Sequence, residues 1–159
     1  MKAITTVFFG AFLAVTSLAV AAGAGPDPVV GTWTLDVAKS KFTQGPALKS
    51  DTRTYAESPD GMMTVTLKSV GADGTETTLM RTFKEDGKDY PIHDSSGSDS
   101  ISETRVNDRT AKYTEKKAGK AILRGRRVLS KDGKTLKVTE IGTDPTGAKI
   151  KHTLVYERE

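Results

Sequence analysis

The sequence predicts an all-β protein whose strands form an up-and-down antiparallel meander, closed into a barrel of about eight to ten strands. Asp-Gly and Asn-Asp pairs tolerate the left-handed backbone of tight hairpins, and turns at regular spacing are typical of all-β folds. No helical pattern longer than the turn predicted at 37–42 interrupts the series. The turn signals separate short segments rich in Thr, Val, Leu and Tyr: Pro59-Asp60-Gly61, Asp73-Gly74, Asp86-Gly87, Asn107-Asp108, Ala118-Gly119, Asp132-Gly133 and Pro145-Thr146-Gly147.

Apolar and polar residues alternate along the predicted strands. Because successive strand side chains point to opposite faces, this alternation assigns one face of each strand to the interior. Closing such a meander removes exposed edges, which favours a barrel over the alternative, a two-sheet sandwich. Further strands are predicted near 51–57, 88–93, 99–106, 110–117, 120–130 and 134–141. The inward sets are Val29, Gly31, Trp33 and Leu35; Met63, Val65 and Leu67; Thr77, Leu79, Arg81 and Phe83; and Ile150, His152, Leu154 and Tyr156.

Residues 1–24 have the features of a secretory signal peptide. Lys2 precedes an uncharged apolar run over 3–20, and Ala19-Val20-Ala21 and Ala22-Gly23-Ala24 both fit a small-x-small cleavage site. The linker at 25–28 carries no positive stop-transfer cluster, which argues against a membrane anchor. We therefore expect residues 25–159 to form one exported barrel domain, periplasmic or secreted, without stable membrane insertion after cleavage.

The composition narrows the classes of function. The chain has no Cys, which excludes disulfides, a thiol nucleophile and cysteine metal ligands. Its 24 Lys and Arg against 20 Asp and Glu give a formal net charge of +4, a weak imbalance that, with export, argues against a nucleic-acid partner. The two histidines, His93 and His152, lie far apart in sequence, and no zinc spacing, P-loop or nucleophile elbow occurs. The sequence therefore predicts no metal, no cofactor and no catalytic residues.

Two short motifs carry a resemblance to a known superfamily. Gly31-Thr32-Trp33 lies on the first predicted strand, and Val155-Tyr156-Glu157-Arg158 ends the last one. Because the order of these motifs, the number of predicted strands and the length of the chain agree with it, the chain resembles the calycin superfamily, the lipocalins and fatty-acid-binding-protein-like barrels. It is also similar to bacterial lipocalin-like secreted proteins. The resemblance implies that Gly31, Trp33 and Arg158 form the barrel floor, with the arginine packed across the tryptophan ring as a cation–π pair.

The resemblance also indicates where a ligand would bind. Fatty-acid-binding proteins commonly hold a ligand carboxylate with an Arg and a Tyr two residues apart in the last strand; Tyr156 fits the Tyr, whereas Leu154 occupies the Arg position. The segment at 36–50 is also too short for the two-helix lid of that subgroup, so we expect a loop to cap the pocket.

Two arginines are candidates for an interior polar contact. Arg81 and Arg127 have inward-type neighbours, and a buried guanidinium needs a carboxylate or an anionic ligand. Glu103, Glu140 or the ligand would supply that negative charge. A shift of one residue in register at Asp132-Gly133 would place Arg126 inside instead of Arg127.

Three hypotheses of function follow from these observations. The first is an exported carrier of a small, partly apolar or amphipathic molecule. In this hypothesis His152, Leu154 and Tyr156 lie on one wall of the cavity, and Arg81 or Arg127 contacts a polar group of the ligand. The alternative is an envelope structural or interaction protein whose barrel core is filled by side chains. An enzyme is the third, and it would require a deep pocket that brings His152 beside a carboxylate such as Glu140, both with shifted pKa values.

Overall fold

The described residues fold into antiparallel β-strands without a helix. The structure, a computed structural model, describes residues 27–93, 95–144 and 146–159; the predicted signal peptide at 1–24 lies outside them. No helix in these ranges is long and apolar enough to span a bilayer. The strands are β1 (Gly31–Leu35), β2 (Lys41–Gln44), β3 (Leu48–Glu57), β4 (Met63–Gly71), β5 (Glu76–Phe83), β6 (Asp86–Pro91), β7 (Ser100–Asn107), β8 (Thr110–Lys117), β9 (Lys120–Leu129), β10 (Thr135–Thr143) and β11 (Lys149–Arg158).

One sheet contains all of these strands and curls into a nearly closed barrel. Its order is β5-β4-β3-β1-β11-β10-β9-β8-β7-β6, so β1 joins the first half of the meander to the last strand. β2 pairs with β11 outside this path, in the segment where the sequence predicts a loop instead of a helical lid. The predicted all-β meander is confirmed, with one difference: β5 and β6 follow each other in the chain but are not paired, which leaves a gap in the wall.

The predicted turns supply the backbone that the hairpins need. Gly133 has a φ of 69°, and the Asp132 carboxylate accepts a hydrogen bond from the Lys134 N–H at 3.1 Å, which closes the turn between β9 and β10. This turn fixes the register so that Arg127 pairs with Val138 and Arg126 with Thr139. Arg127 is therefore the inward residue and Arg126 is exposed.

The inward faces that alternation assigns on β1, β4, β5 and β11 carry buried side chains. Because every second side chain of a strand points into the barrel, residues from distant parts of the chain meet in one interior. The core consists of Val29, Trp33, Leu35, Tyr55, Met63, Val65, Leu67, Phe83, Ile92, Ile101, Tyr113, Leu129, Leu136, Val138, Leu154 and Tyr156.

A tryptophan and an arginine close one end of the barrel. Trp33 is fully buried, and its indole N–H donates to the Val29 carbonyl at 2.8 Å. The Arg158 guanidinium lies over the Trp33 ring, 4.2 Å from the centroid, and its Nη1 donates to the Val30 carbonyl at 2.8 Å. Gly31 has a φ of 133°, and a Cβ there would come within 2.8 Å of Arg158 Nη1. This is the contact that the resemblance implies, and it explains why Gly31 carries no side chain.

Replacing Trp33 with Ala should destabilise the fold strongly, because it leaves a cavity under Arg158 and removes the stacking surface. We expect a loss of about 3 to 5 kcal/mol in the free energy of unfolding, measured by urea denaturation followed by circular dichroism. Thr34→Ala, on the exposed face of the same strand, is the control and should cost less than about 1 kcal/mol. Equal denaturation midpoints for the Trp33 variant and the wild type would contradict the floor assignment.

Candidate functional site

A cavity of about 240 Å³ lies at the end of the barrel opposite the Trp33 floor. β11 runs from one end to the other: Ile150, His152 and Leu154 line the cavity, Tyr156 lies below it, and Arg158 reaches the floor. The apolar lining consists of Leu48, Leu67, Leu79, Ile122, Leu123, Ile150 and Leu154. The polar lining consists of Asp51, Arg53, Ser69, Arg81, Ser96, Ser98, Glu115, Glu140, Thr143, Asp144 and His152.

Arg53, from β3, is held in the cavity wall by two carboxylates. Its Nε donates to Asp51 Oδ2 at 3.1 Å and its Nη2 to Glu140 Oε1 at 3.1 Å, and its guanidinium lies 4.9 Å from the centre of the Tyr156 ring. Burial disfavours the charge, but Tyr156, Glu140 and Asp51 outweigh it and keep the pKa of Arg53 above its usual value. The guanidinium therefore stays charged, and its contacts fix its position.

Hydroxyl groups complete the hydrogen bonding of these carboxylates. The Tyr156 hydroxyl donates to Asp51 Oδ2 at 2.5 Å, and the Ser69 hydroxyl donates to Asp51 Oδ1 at 2.7 Å. The Tyr113 hydroxyl donates to Glu140 Oε1 at 2.6 Å. Burial alone would raise the pKa of Glu140, but Arg53 and Tyr113 hold it below the usual value, so Glu140 is ionised.

A second ion pair crosses the cavity from β5 to β8. Arg81 Nη1 lies 2.8 Å from Glu115 Oε1, and both side chains are buried. The Ser98 hydroxyl, from the loop between β6 and β7, donates to Glu115 Oε2 at 2.7 Å. Arg81 therefore faces the cavity, as its neighbours predict, but a carboxylate of the protein already occupies part of its hydrogen-bonding capacity.

His152 forms part of the wall between β2 and β10. Its ring meets Phe42 edge-on at 5.2 Å between centroids, and its Nδ1 lies 4.0 Å from Glu140 Oε2. That distance is too long for a hydrogen bond. Burial lowers the pKa of His152 more than Glu140 raises it, so the imidazole is neutral at physiological pH.

Arg127 lies away from this cavity, in a cluster of charges nearer the floor. Its Nε donates to Glu103 Oε1 at 2.8 Å, and its Nη2 contacts Glu85 and lies 3.4 Å from Asp27 Oδ2. Arg105 contacts Asp27 and donates to Glu85 Oε2 at 2.6 Å. Glu103 is one of the two partners that the sequence proposes for the inward arginines, and here it pairs with Arg127.

The floor cluster contains one more carboxyl group than guanidinium groups. Three carboxyl groups, on Asp27, Glu85 and Glu103, surround the guanidiniums of Arg105 and Arg127. Burial, together with the nearby Asp27 charge, raises the pKa of Glu103 to about 8. Glu103 therefore keeps its proton at neutral pH, and the rest of the cluster is balanced.

Two predicted ligand-binding residues lie outside the cavity surface. Tyr156 is fully buried and supports Asp51 and Arg53 from below, while Arg127 belongs to the floor cluster. Arg81, His152 and Leu154 do line the cavity. Sequence reasoning missed Asp51, Arg53 and Glu115. The alternation of Asp51, Arg53 and Tyr55 with Thr52 and Thr54 is the signal that identifies the first two as inward.

The described residues of this cavity form neither a metal site nor a hydrogen-bonded catalytic pair. No group of three His, Asp or Glu within 27–93, 95–144 and 146–159 is arranged to hold a metal ion. Asp94, which begins the serine-rich loop, lies outside the described residues. His152 and Glu140 are close, but they do not hydrogen bond, and the lowered pKa of Glu140 makes it a weak base.

Comparisons with known proteins identify the fold. No protein-family model and no curated protein matches the sequence. A Schistosoma mansoni fatty acid binding protein in complex with arachidonic acid has a similar structure, with a TM-score of 0.59 and 18% identity over 83% of this chain and 96% of that one. The fluorescent protein UnaG is similar with a TM-score of 0.52 and 17% identity over 82% of this chain and 96% of its own. These likenesses establish a fatty-acid-binding-protein-like barrel, as the motifs predict.

The pKa of Glu103 predicts how stability depends on pH. Its folded-state pKa of about 8 lies above the ordinary value of 4.5, so between these limits the native state binds more protons than the unfolded state. The contribution of Glu103 to stability should therefore fall as pH rises through this range. Glu103→Gln should flatten the decline in urea midpoint from about pH 5 to about pH 8, whereas Glu76→Gln, on the exposed surface, should not. Identical slopes for the Glu103 variant and the wild type would contradict the assignment.

Proposed function

We propose that this protein is an exported small-molecule carrier that binds a small, partly apolar ligand in the cavity above Arg53. The observation that supports this most directly is the amphipathic lining. Leu48, Leu79, Leu123 and Ile150 suit an apolar body, while Arg53 and Glu140 suit a polar end. Pockets lined mainly by apolar groups with a few convergent polar groups are typical of ligand sites.

The cavity volume limits the size of the ligand. At about 240 Å³ it is slightly below the range of about 300 to 1,000 Å³ usual for drug-sized ligands, and it equals the liquid volume of about eight waters. Below it, a pocket of about 20 Å³ beside Tyr55 and Phe83 has room for about one water. The charged layer thus limits the depth of the cavity, and a long acyl chain would extend out of the barrel.

The alternative is an envelope interaction protein whose barrel core is filled. The filled lower half of the barrel agrees with that alternative, because Trp33, Phe83, Leu136 and Tyr156 occupy it. The upper half of the barrel supports the carrier hypothesis, since a purely structural barrel has no need to place buried carboxylates around a cavity.

Export is part of the proposal and depends on residues 1–24. Their single charge, apolar run and small-x-small sites fit a cleavable signal peptide, and they support a location in the periplasm or outside the cell. We propose no enzymatic activity, because His152 and Glu140 do not form a hydrogen-bonded pair.

The first experiment is native mass spectrometry of the protein purified without denaturation from the periplasm, followed by organic extraction and identification of small molecules. A stoichiometric co-purifying species would support the carrier and identify its ligand. A mass equal to that of the protein alone, together with no binding of a fluorescent apolar probe, would favour the filled-barrel interaction protein.

A paired substitution tests whether the ligand occupies the cavity. Leu79→Trp adds an indole to the cavity wall and should reduce the affinity for an apolar fluorescent probe at least about tenfold, without loss of the fold. Met80→Trp, at the next position and 62% exposed on the outer face, is the matched control and should bind as the wild type does. Binding retained by the Leu79 variant and lost by the Met80 variant would place the probe outside the barrel.

A further inference from the structure

We infer that the ligand's polar end is an amine that binds as an ammonium group beside Glu140, and not a carboxylate. This inference rests on the proposed function and names the class of ligand for the same cavity. It departs from the ligand carboxylate that fatty-acid-binding proteins commonly hold, and the reason lies in the charges that surround the cavity.

Negative groups outnumber positive groups in the cavity wall. Arg53 and Arg81 are the two guanidiniums on the described surface of the cavity, and Asp51, Glu115 and Glu140 are the carboxylates beside them. Asp144 adds a further carboxylate at the mouth. His152 does not offset this excess, because burial lowers its pKa and leaves it neutral at physiological pH.

The guanidiniums are already engaged by carboxylates of the protein. Arg53 binds Asp51 and Glu140, and Arg81 binds Glu115. A ligand carboxylate would have to displace one of these protein carboxylates from its arginine. The displaced carboxylate would then remain charged, next to the negative charge of the ligand. Leaving a buried charge without its partner is costly, so the wall disfavours an anionic ligand.

Glu140 offers a position for a donor. Its Oε1 accepts hydrogen bonds from Arg53 and Tyr113, whereas its Oε2 lies 4.0 Å from His152 Nδ1, too far to be bonded to it. An ammonium group has three donors and no acceptor, and thus matches a wall rich in carboxylate oxygens. At an effective dielectric constant of about 20, one excess charge a few ångströms away changes affinity by about tenfold or more.

A matched series of ligands tests the inference. Octylamine, 1-octanol and octanoate share one apolar chain, short enough to suit the cavity, and differ only in the charge of the polar end. We expect octylamine to bind the exported protein at least about tenfold more tightly than octanoate near neutral pH, with 1-octanol between them, as measured by isothermal titration calorimetry.

Variants that remove one carboxylate charge test whether the cavity wall causes this order of ligand affinities. Glu140→Gln should weaken the binding of octylamine about tenfold and strengthen the binding of octanoate, because it removes a negative charge and frees one side of the Arg53 guanidinium. Glu115→Gln should shift both affinities in the same directions, and it keeps the test valid if the Glu140 variant does not fold. Glu76→Gln changes the net charge of the protein by the same amount, but Glu76 is exposed at the start of β5, so this variant should alter neither affinity.

The outcomes separate this inference from the proposed function. Octanoate binding as tightly as octylamine would overturn the ammonium site and leave the carrier intact. An amine preference that both the Glu140 and the Glu115 variants retain would also overturn it, since the charge would then act elsewhere. Failure of all three ligands to bind the wild type would overturn the carrier function and, with it, this inference.

Discussion

Buried guanidiniums that need carboxylate partners are the constraint on which the rest of this barrel depends. Strand alternation places Arg53, Arg81 and Arg127 inside, where an unpaired charge would cost several kcal/mol. Each is matched by a carboxylate from a distant part of the chain: Arg53 by Glu140, Arg81 by Glu115, and Arg127 by Glu85. These pairs cross the interior and fix which strands face one another, so they set the geometry of the cavity as well as its charge.

The interior is organised in three levels along the barrel axis. Trp33 and Arg158 close the floor, and the cluster around Arg127 lies nearer that end. Arg53 forms the middle level with its carboxylates, and Tyr156 supports it from beneath. The upper level is the cavity, where apolar side chains lie beside the ion pair of Arg81 and Glu115.

The gap between β5 and β6 shows how an incomplete barrel protects its edges. β6 is short, its pairing with β7 shifts register between Asp86 and Asp89, and it ends at Pro91, which has no N–H to offer to another strand. Such irregular edges discourage pairing with a second chain. The outer surface at the gap includes Met80 and His93 around an open groove. The sequence does not predict this gap, because the two strands are neighbours in the chain and their residues are compatible with pairing.

Local chemistry allowed much of this structure to be predicted from the sequence. Turn residues set the hairpins and period two set the inward faces, so the meander, the buried Arg81 and the position of Trp33 follow from residues close together in the chain. The partners of the buried charges do not follow in this way. Arg53 and Glu140 are 87 residues apart, and Tyr156 and Asp51 are 105 apart. Only the registers of several strands together decide that Arg53 meets Glu140, that Arg127 lies near the floor, and that negative groups exceed positive ones around the cavity. The sequence by itself therefore determined a β-barrel with charges inside, because alternation is a local property. The tertiary structure decided which charges meet, since electrostatic pairing depends on distances of a few ångströms between strands far apart in sequence.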